Sequence, residues 1–469
     1  MHFTDFGNKI IPGILRKFFQ KPGETMRPKL CEQATPALQL GLDDTLLKNF
    51  INLNHPLVKL AEAIDWDRFD LYFGEQFQSK RGRPALPTRL IVGLHYLKHM
   101  ENLSDEEVVV RLTENPYWQY FCGFEVFQKR SPCDATTLVK WRKKFKDEGA
   151  ERLLQESLAT AHSLGLLKTS QVQEVYVDTT VQEKNVTYPT DAKLLVKLRE
   201  KLVKLGKKHG VRFKQTFEAE CKDLAFQISR YAHARQFKRM HTKMKVLKRR
   251  VVKIYHMVMS QVPKNSRTEA LKRFLSLASK ILFPLPGEKV YSLHEPQVEC
   301  ISKGKARVRY EFGNKVGIAV TAQGNWVVGA LGFHGNPYDG STLKETLGQV
   351  KRITGASIQL VGVDKGYRGQ VHHPEGVKVL VSGRKRLPEP LKRFLNSRSK
   401  IEPVIGHLKS DHRMGRNYLA GILGDKINPI LAAAAFNLRK IMRSFFLSFF
   451  IRWILTQIHR QNRLAWVAN

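Results

Sequence analysis

Residues 174–180, EVYVDTT, form the stretch from which the fold of this 469-residue chain can be predicted. β-branched and aromatic residues favour a strand, and consecutive apolar residues are typical of a strand covered on both faces. Asp178 lies inside the run, and burial of a carboxylate is costly unless a cation meets it. That cation is an Arg or Lys side chain or a metal ion, and the strand alone leaves both choices open.

More strand patterns follow much later in the chain, and together they predict a mixed α/β fold whose sheet is covered by helices. The turn at 322–325 predicts that the strands before and after it form a hairpin. The run that ends at Asp364 resembles the first strand, because it is apolar and closes on a carboxylate. The predicted elements are strands at 308–321, 326–333, 358–364 and 377–381, and helices at 341–353, 401–409 and from Pro429 to the end.

Residues 61–170 are predicted to form a helical domain that binds DNA. Ser104 and Glu107 match a capping box, which predicts a helix start at Ser104. A second helix begins near Thr136 or Thr137, and two helices with a basic second member are typical of a helix-turn-helix DNA reader. The alternative is a plain helical domain with a solvated basic face. The predicted DNA contacts on the second helix are Lys140, Arg142 and Lys143.

Residues 1–60 lack a clear period and are predicted to be an N-terminal arm. After them, residues 80–84 read KRGRP, and Arg81 and Arg83 are candidates for insertion into a narrow minor groove. The alternative is that this short run is only a loop before the helix at Thr88.

The chain is strongly basic, with 79 Lys and Arg against 42 Asp and Glu and a formal net charge of +37. Such an excess points to a polyanionic partner, most simply nucleic acid. Residues 191–280 contain 25 Lys and Arg against 6 Asp and Glu, on a helical pattern. We therefore predict that 191–290 is a basic helical insertion in the sheet domain, with one helix broken by Gly206 and Gly210 and a second over 216–262.

Residues 421–469 are predicted to be C-terminal helices. Their apolar stretch, 444–458, is interrupted by Arg452 and is shorter than a membrane span, so no membrane contact is expected. Five scattered cysteines form no Cys-x-x-Cys pair and fit a reducing cytoplasm. The predicted location is the bacterial cytoplasm, in association with the nucleoid.

Three acidic residues are candidates for a shared metal site: Asp178, Asp364 and Glu402. Strand ends and helix starts gather at one edge of an α/β sheet. Hard cations such as Mg²⁺ bind carboxylate oxygens, and two such ions clamp the attacking and leaving oxygens of a phosphoryl transfer. His334 and Asp339 are further candidates near this edge.

Each acidic residue also has a purely structural explanation. Asp178 is a possible cap for Thr180, and Asp364 begins an ordinary turn. Ser399 and Glu402 match a capping box, and a Glu that caps its own helix is not free to bind a metal ion. The spacing alone does not decide between these alternatives.

In these residues the chain resembles bacterial DDE transposases of the insertion sequence four and five group. The first motif is Asp178-Thr179-Thr180, followed by 188–191, YPTD, and the second is 363–368, VDKGYR. The third is Arg398-x₃-Glu402-x₆-Lys409, which matches the Arg, Glu and Lys of the group's Tyr-Arg-Glu-Lys signature. Leu395 stands where that signature has Tyr. The resemblance covers roughly residues 60–445.

The resemblance implies a ribonuclease-H-like catalytic domain over 171–190 and 291–420, with the three acidic residues as ligands of Mg²⁺ or Mn²⁺. Glu402 and Lys409 lie nearly two turns apart, so both share one helix face. Arg398 contacts a phosphate or pairs with Glu402, if the helix extends back that far. The predicted DNA contacts around the site are Arg398, Lys409, Lys365 and Arg368.

The predicted function is a transposase that binds the terminal inverted repeats of a mobile element, cuts phosphodiester bonds and joins the 3′ ends to target DNA. A homodimer on double-stranded DNA is expected from the resemblance. The alternatives are a nuclease on the same core that does not join ends, a non-catalytic domesticated DNA-binding protein, and an RNA-binding protein attracted by charge alone.

Overall fold

The computed structural model describes residues 46–74, 85–302, 309–384 and 386–467; the side chains of Gln370 and 447–467 are not described. The chain divides into two compact units. The first contains residues up to His95 together with Asp105–Phe145, and the second contains Tyr96–Ser104 and the chain from Lys146 onward.

The first unit is helical around an aromatic core. Asn115 accepts hydrogen bonds from the backbone N–H groups of Tyr117 and Trp118 and so begins a helix with Pro116 at its first position. The ring of Phe73 packs against those of Trp141 and Phe145. The helices from the N-terminal side are α1 Leu47–Phe50, α2 Pro56–Ala63, α3 Asp67–Phe73, α4 Thr88–Met100, α5 Asp105–Glu114, α6 Pro116–Phe121 and α7 Ala135–Ser163, which is interrupted at Lys146. The ends of α4 and α7, from Tyr96 and from Lys146, are counted in the second unit.

The second unit is built on one mixed sheet of seven strands in its described residues. Strand β1 is central, because it pairs antiparallel with β3 and parallel with β5. The order along the sheet is β2-β3-β1-β5-β6, with β4 paired to β3 and β7 paired to β1. The strands are β1 Glu174–Lys184, β2 Glu299–Ser302, β3 Tyr310–Thr321, β4 Val327–Phe333, β5 Leu360–Val363, β6 Lys378–Val381 and β7 Arg416–Asn417. The mixed α/β fold and the hairpin predicted from the sequence are therefore confirmed for the described part of the chain.

Four helices lie between β1 and β2, where a basic helical insertion was predicted. They pack around their own apolar core, which includes Leu198, Leu247, Val251 and Leu275. The helices are α8 Asp191–Lys208, α9 Glu218–His233, α10 Phe237–Gln261 and α11 Glu269–Leu282. We call them the helical insertion.

Two details predicted for this insertion are wrong. The single helix expected over 216–262 is two helices, and the break contains Arg235 with a φ of +55°. Gly206 does not break α8, because it lies inside the helix and a Cβ there would meet the ring of Phe213. Its role is close packing rather than termination.

The remaining helices cover the sheet: α12 Asp339–Thr354, α13 Glu389–Asn396, α14 Ile401–Ser410 and α15 Gly421–Val467. α15 begins eight residues before the predicted start at Pro429, which lies inside it. Among the described residues, no helix is both long enough and apolar enough to cross a membrane.

A buried ionic network holds the start of α15 against the end of β1. Lys184 Nζ lies 2.7 Å from Asp425 Oδ1 and 3.3 Å from Glu295 Oε2. It also donates to the Leu419 carbonyl at 2.6 Å. Burial raises the pKa of Asp425, although the neighbouring Lys184 charge acts in the opposite direction. The network therefore joins the chain on both sides of the helical insertion to α15.

Candidate active site

Two of the predicted acidic residues come together through strand register. In the parallel pair β1 and β5, Tyr176 lies opposite Gly362. Asp178 follows two residues later on β1, and Asp364 is the first residue after β5. Continuing the register of these adjacent strands, which run about 4.8 Å apart, brings the two residues to the same end of the pair. Asp364 Oδ1 accepts from the Gly366 N–H at 2.8 Å and opens a short 3₁₀ turn.

Arg398 connects Asp178 to Glu402. Its Nη1 donates to Asp178 Oδ2 at 3.3 Å, and its Nη2 lies 3.6 Å from Glu402 Oε1. Asp178 Oδ1 accepts from the Thr179 N–H at 2.8 Å. One guanidinium therefore contacts two of the three predicted metal ligands.

Glu402 is not occupied by the capping box that its sequence matches. The turn Ser397–Lys400 runs directly into α14, and no side chain caps the start of α14. The Glu402 side chain is 64% exposed. The backward extension of the helix also allows the Arg398–Glu402 pair across one turn, as predicted. Glu402 is thus available to a ligand that approaches from solvent.

Asp339 joins the cluster at the first residue of α12. Its Oδ1 accepts from Thr179 Oγ1 at 2.8 Å and from Lys315 Nζ at 2.9 Å. A Cβ built on Gly366 would lie 2.9 Å from Asp364 Oδ1 and 3.0 Å from Asp339 Oδ2. Gly366 thus leaves a small space between two carboxylates that any other side chain would fill.

Tyr367 marks the centre of the acidic cluster. Its side chain is fully buried, and its hydroxyl has no hydrogen-bond partner among the described residues. The neighbouring hydroxyl of Thr342 donates to the Asp339 carbonyl at 2.7 Å. Burial raises the pKa of Tyr367 well above its ordinary value. Three carboxylate charges raise this pKa further, those of Asp178, Asp339 and Asp364.

The donor chemistry of this edge fits Mg²⁺, although the donors are not assembled. In the described part of the chain, no three His, Cys, Asp or Glu side chains are close enough to hold a metal ion together. The oxygen-only set suits a hard cation, and the unpaired Tyr367 hydroxyl and the space at Gly366 lie among the carboxylates. Between Asp178 and Glu402, the positive charge is supplied by Arg398.

His334 lies elsewhere and does not join the carboxylates. Its Nε2 is 3.7 Å from Asp425 Oδ2, in the buried ionic network. Sequence reasoning passed over Lys315 and Tyr367. A lone Lys inside the apolar strand β3 was a signal that a buried acidic residue lies nearby.

The predicted DNA contacts near the site differ in exposure. Lys365 and Arg368 are exposed beside Asp364, whereas Lys409 is half-buried on α14. Leu395, at the position of the signature Tyr, is buried with Leu360 and Leu380 under the sheet.

In the first unit, Lys140 and Lys143 are exposed on α7. Arg142 is buried, and its Nη1 donates to Asp105 Oδ1 at 2.9 Å. Because this guanidinium is buried and paired with Asp105, it is not available to contact DNA. Arg81, Arg83 and most of the predicted N-terminal arm lie outside the described residues.

Comparisons with known proteins identify the family. The transposase domain DUF772 matches residues 45–144. The uncharacterised protein ORF8 of the nfe locus of Rhizobium meliloti is 50% identical over 191 residues, which are 41% of this chain and 92% of that protein. No solved structure matches the chain significantly. The chain therefore belongs to a transposase family.

Proposed function

We propose that the protein is a DDE transposase similar to the insertion sequence four and five group. It binds the terminal inverted repeats of a mobile element, cleaves phosphodiester bonds and transfers the 3′ ends to target DNA. The observation that carries the proposal is the meeting of Asp178 and Glu402 on one guanidinium, with Asp364 directly after β5, the strand that pairs with β1. These acidic residues are remote in sequence, and a structural role would not require them to converge.

The sheet supports the ribonuclease-H-like fold in this proposal. An antiparallel hairpin, β3 and β4, lies on one side of β1, and the parallel strands β5 and β6 lie on the other. The acidic residues stand on β1 and directly after β5, where strand ends meet helix starts.

Asp178, Asp364 and Glu402 are the proposed ligands of Mg²⁺, with Mn²⁺ as a substitute. When bound, a pair of such ions activates the attacking oxygen and stabilises the leaving 3′ oxygen. Lys315 and Thr179 hold Asp339 beside Asp364, and the Lys315 ammonium offsets the charge of Asp339 at the ligand edge. Arg398 leaves its two carboxylates and turns to a DNA phosphate in this scheme.

Exposed cations support the binding of double-stranded DNA. Lys365 and Arg368 flank the acidic edge, Lys140 and Lys143 belong to the proposed N-terminal DNA-binding domain, and the helical insertion adds a nearly single-signed surface. Phosphate contacts of this kind give affinity and position the protein on the duplex. We propose that the protein acts on the bacterial nucleoid and pairs two DNA ends as a homodimer.

The test uses the purified full chain and a plasmid that carries the DNA flanking its gene. Asp178→Asn keeps the side-chain size but removes the charge that a metal ion needs. We expect strand cleavage in Mg²⁺ to fall at least about 10³-fold, while binding to the flanking DNA stays within about twofold of wild type. The matched control is Asp223→Asn, the same change at an exposed position on α9.

Cleavage by the Asp178→Asn protein at the wild-type rate would contradict the proposed chemistry. Precleaved ends then separate the transposase from a nuclease on the same core, since only the transposase joins 3′ hydroxyls to a second DNA. A wild-type protein that binds DNA but never nicks it would be the non-catalytic alternative. Preference for RNA over duplex DNA at raised salt would favour an RNA-binding protein.

A further inference from the structure

A basic cavity lies between α14 and α15, outside the acidic cluster. Its volume is about 310 Å³, well above the roughly 10–15 Å³ that one water molecule needs in the same measure. α14 contributes Pro403, Val404 and His407, and the turn before it contributes Lys400, all at the spacing of one helix face. Facing them, α15 contributes Phe436, Arg439, Lys440 and Arg443, which follow the same spacing. The cavity is therefore formed by two helix faces.

Lys440 is one of the cations that line this cavity. Its ammonium group lies 4.3 Å from the ring centroid of Trp326, and no ion-pair partner is found for it among the residues with described side chains. Burial lowers the pKa of Lys440 to about 8. Arg439 donates to the Met100 carbonyl at 2.6 Å, and Arg443 is exposed at the cavity mouth. A partly buried ammonium without an ion-pair partner is stabilised by any anion that reaches it.

The other titratable groups of the cavity, Asp411, His407 and His412, already have hydrogen-bond or ion-pair partners within the protein. Asp411 Oδ2 lies 2.8 Å from His407 Nδ1, and Asp411 Oδ1 accepts from Ser410 Oγ at 2.6 Å. His412 Nδ1 is 3.0 Å from the His99 carbonyl, and burial lowers the pKa of His412 to about 4, so its ring is neutral at pH 7. Asp411 therefore does not neutralise the ammonium of Lys440, and among the described side chains no other group does, so an external anion can pair with it.

We propose that this cavity binds a backbone phosphate of the DNA on which the enzyme acts. Lys440 and Arg443 contact the phosphate oxygens, and the apolar surfaces of Pro403, Val404 and Phe436 pack against the sugar. A phosphodiester fits because it is a small anion attached to an apolar ring, and the cavity offers cations beside apolar walls. This inference rests on the proposed function, since it assumes that DNA is the substrate.

The cavity shares α14 with Glu402. The residues that line it and Glu402 lie on different faces of this helix, whose diameter with side chains is about 10–12 Å. If the scissile bond of a DNA strand lies at Glu402, a phosphate a short distance away on the same DNA strand can reach the cavity. The contact holds the strand at a fixed offset from the acidic edge, which is positioning rather than catalysis.

The experiment measures binding of a labelled duplex oligonucleotide to the full chain at several salt concentrations. We expect Lys440→Met to weaken binding about tenfold, because a charge-assisted contact in a partly buried site is lost. The slope of log affinity against log salt should fall in magnitude by about 1. Arg443→Gln, at an exposed position where folding is not at risk, should show the same change in slope with a smaller loss of affinity.

The matched control is Lys351→Met, the same substitution at an exposed residue in the last turn of α12. Equal affinities and slopes for the three variants and wild type would overturn the proposal. Inorganic phosphate is tested as a competitor. If it stabilises wild type but not Lys440→Met, while both bind the duplex equally, the cavity is a site for free phosphate and the DNA assignment is wrong.

Failure of this inference is distinguishable from failure of the proposed function. If Lys440→Met binds and cleaves like wild type in Mg²⁺, the cavity assignment fails and the transposase assignment stands. If wild type binds DNA through the cavity but never cleaves it, the transposase assignment fails and the cavity assignment stands.

Discussion

The sheet and the helical insertion differ in the burial of their ion pairs. At the sheet, the side chains of Lys184 on β1 and Asp425 on α15 are each 3% exposed and lie 2.7 Å apart. In the insertion, Lys222 and Glu218 are also 2.7 Å apart, but each side chain is 57% exposed. The two contacts have the same length and different consequences, because water screens the second pair and cannot reach the first.

Under the proposed function, this difference suits two roles. The few buried, partnered charges at the sheet suit chemistry at a single phosphate, which needs a fixed geometry. The many solvated charges of the insertion suit affinity along a polyanion, which does not. Single substitutions should therefore act strongly in the sheet and weakly in the insertion.

The largest expected effect on stability comes from Lys184→Met. Removing the ammonium leaves Asp425 and Glu295 buried without their cation, so we expect the free energy of unfolding to fall by about 3–5 kcal/mol. Urea denaturation followed by circular dichroism measures it. Lys222→Met in the insertion breaks an ion pair of the same length and should cost less than about 0.5 kcal/mol. Similar costs for the two variants would mean that burial does not separate the two regions.

A smaller effect is expected from Arg398→Gln at the acidic edge. Asp178 and Glu402 then lose their shared counterion, so stability without divalent ions should fall by about 1–2 kcal/mol. Added Mg²⁺ should raise the unfolding temperature more in this variant than in wild type, because the guanidinium no longer competes for the carboxylates. Arg393→Gln breaks an exposed pair with Glu389 on α13 and serves as the control. Equal Mg²⁺ effects in all three proteins would argue against a metal ion between Asp178 and Glu402.

The smallest effects are expected in the insertion. Lys245 and Arg249 are exposed one turn apart on α10. Each change to Gln should weaken DNA binding only a few-fold and reduce the magnitude of the salt slope by about 0.9. The double variant should show the sum of both reductions in a fluorescence-anisotropy titration across salt concentrations. Lys378→Gln, on β6, is the control, and a slope unchanged in the double variant would remove α10 from the DNA interface.

The sequence was sufficient to predict the features that depend on local residue patterns and on strand register. The apolar runs that contain Asp178 and end in Asp364 identified β1 and β5, and the parallel pairing of those strands brings the two carboxylates to the same end of the pair. The capping-box match at Ser399 gave the wrong alternative for Glu402, since pattern alone does not reveal the preceding turn that continues the helix.

Contacts between residues that are distant in the chain could not be predicted from the sequence. Arg142 looked like one more exposed cation on a basic helix, because nothing local shows that Asp105 meets it. The break between α9 and α10 carries neither Gly nor Pro, and Arg235 takes a left-handed conformation that sequence rules assign mainly to Gly and Asn. Pro429 suggested a helix start, although α15 accommodates it in its interior.

The internal counterions of the acidic edge have a consequence for the newly made chain. Arg398 neutralises Asp178 and Glu402, and Lys315 neutralises Asp339, so these carboxylates acquire their partners from the same polypeptide as it collapses. Self-repulsion at this edge is therefore relieved by the chain's own cations. We expect the newly made chain to fold here without a supply of divalent cations.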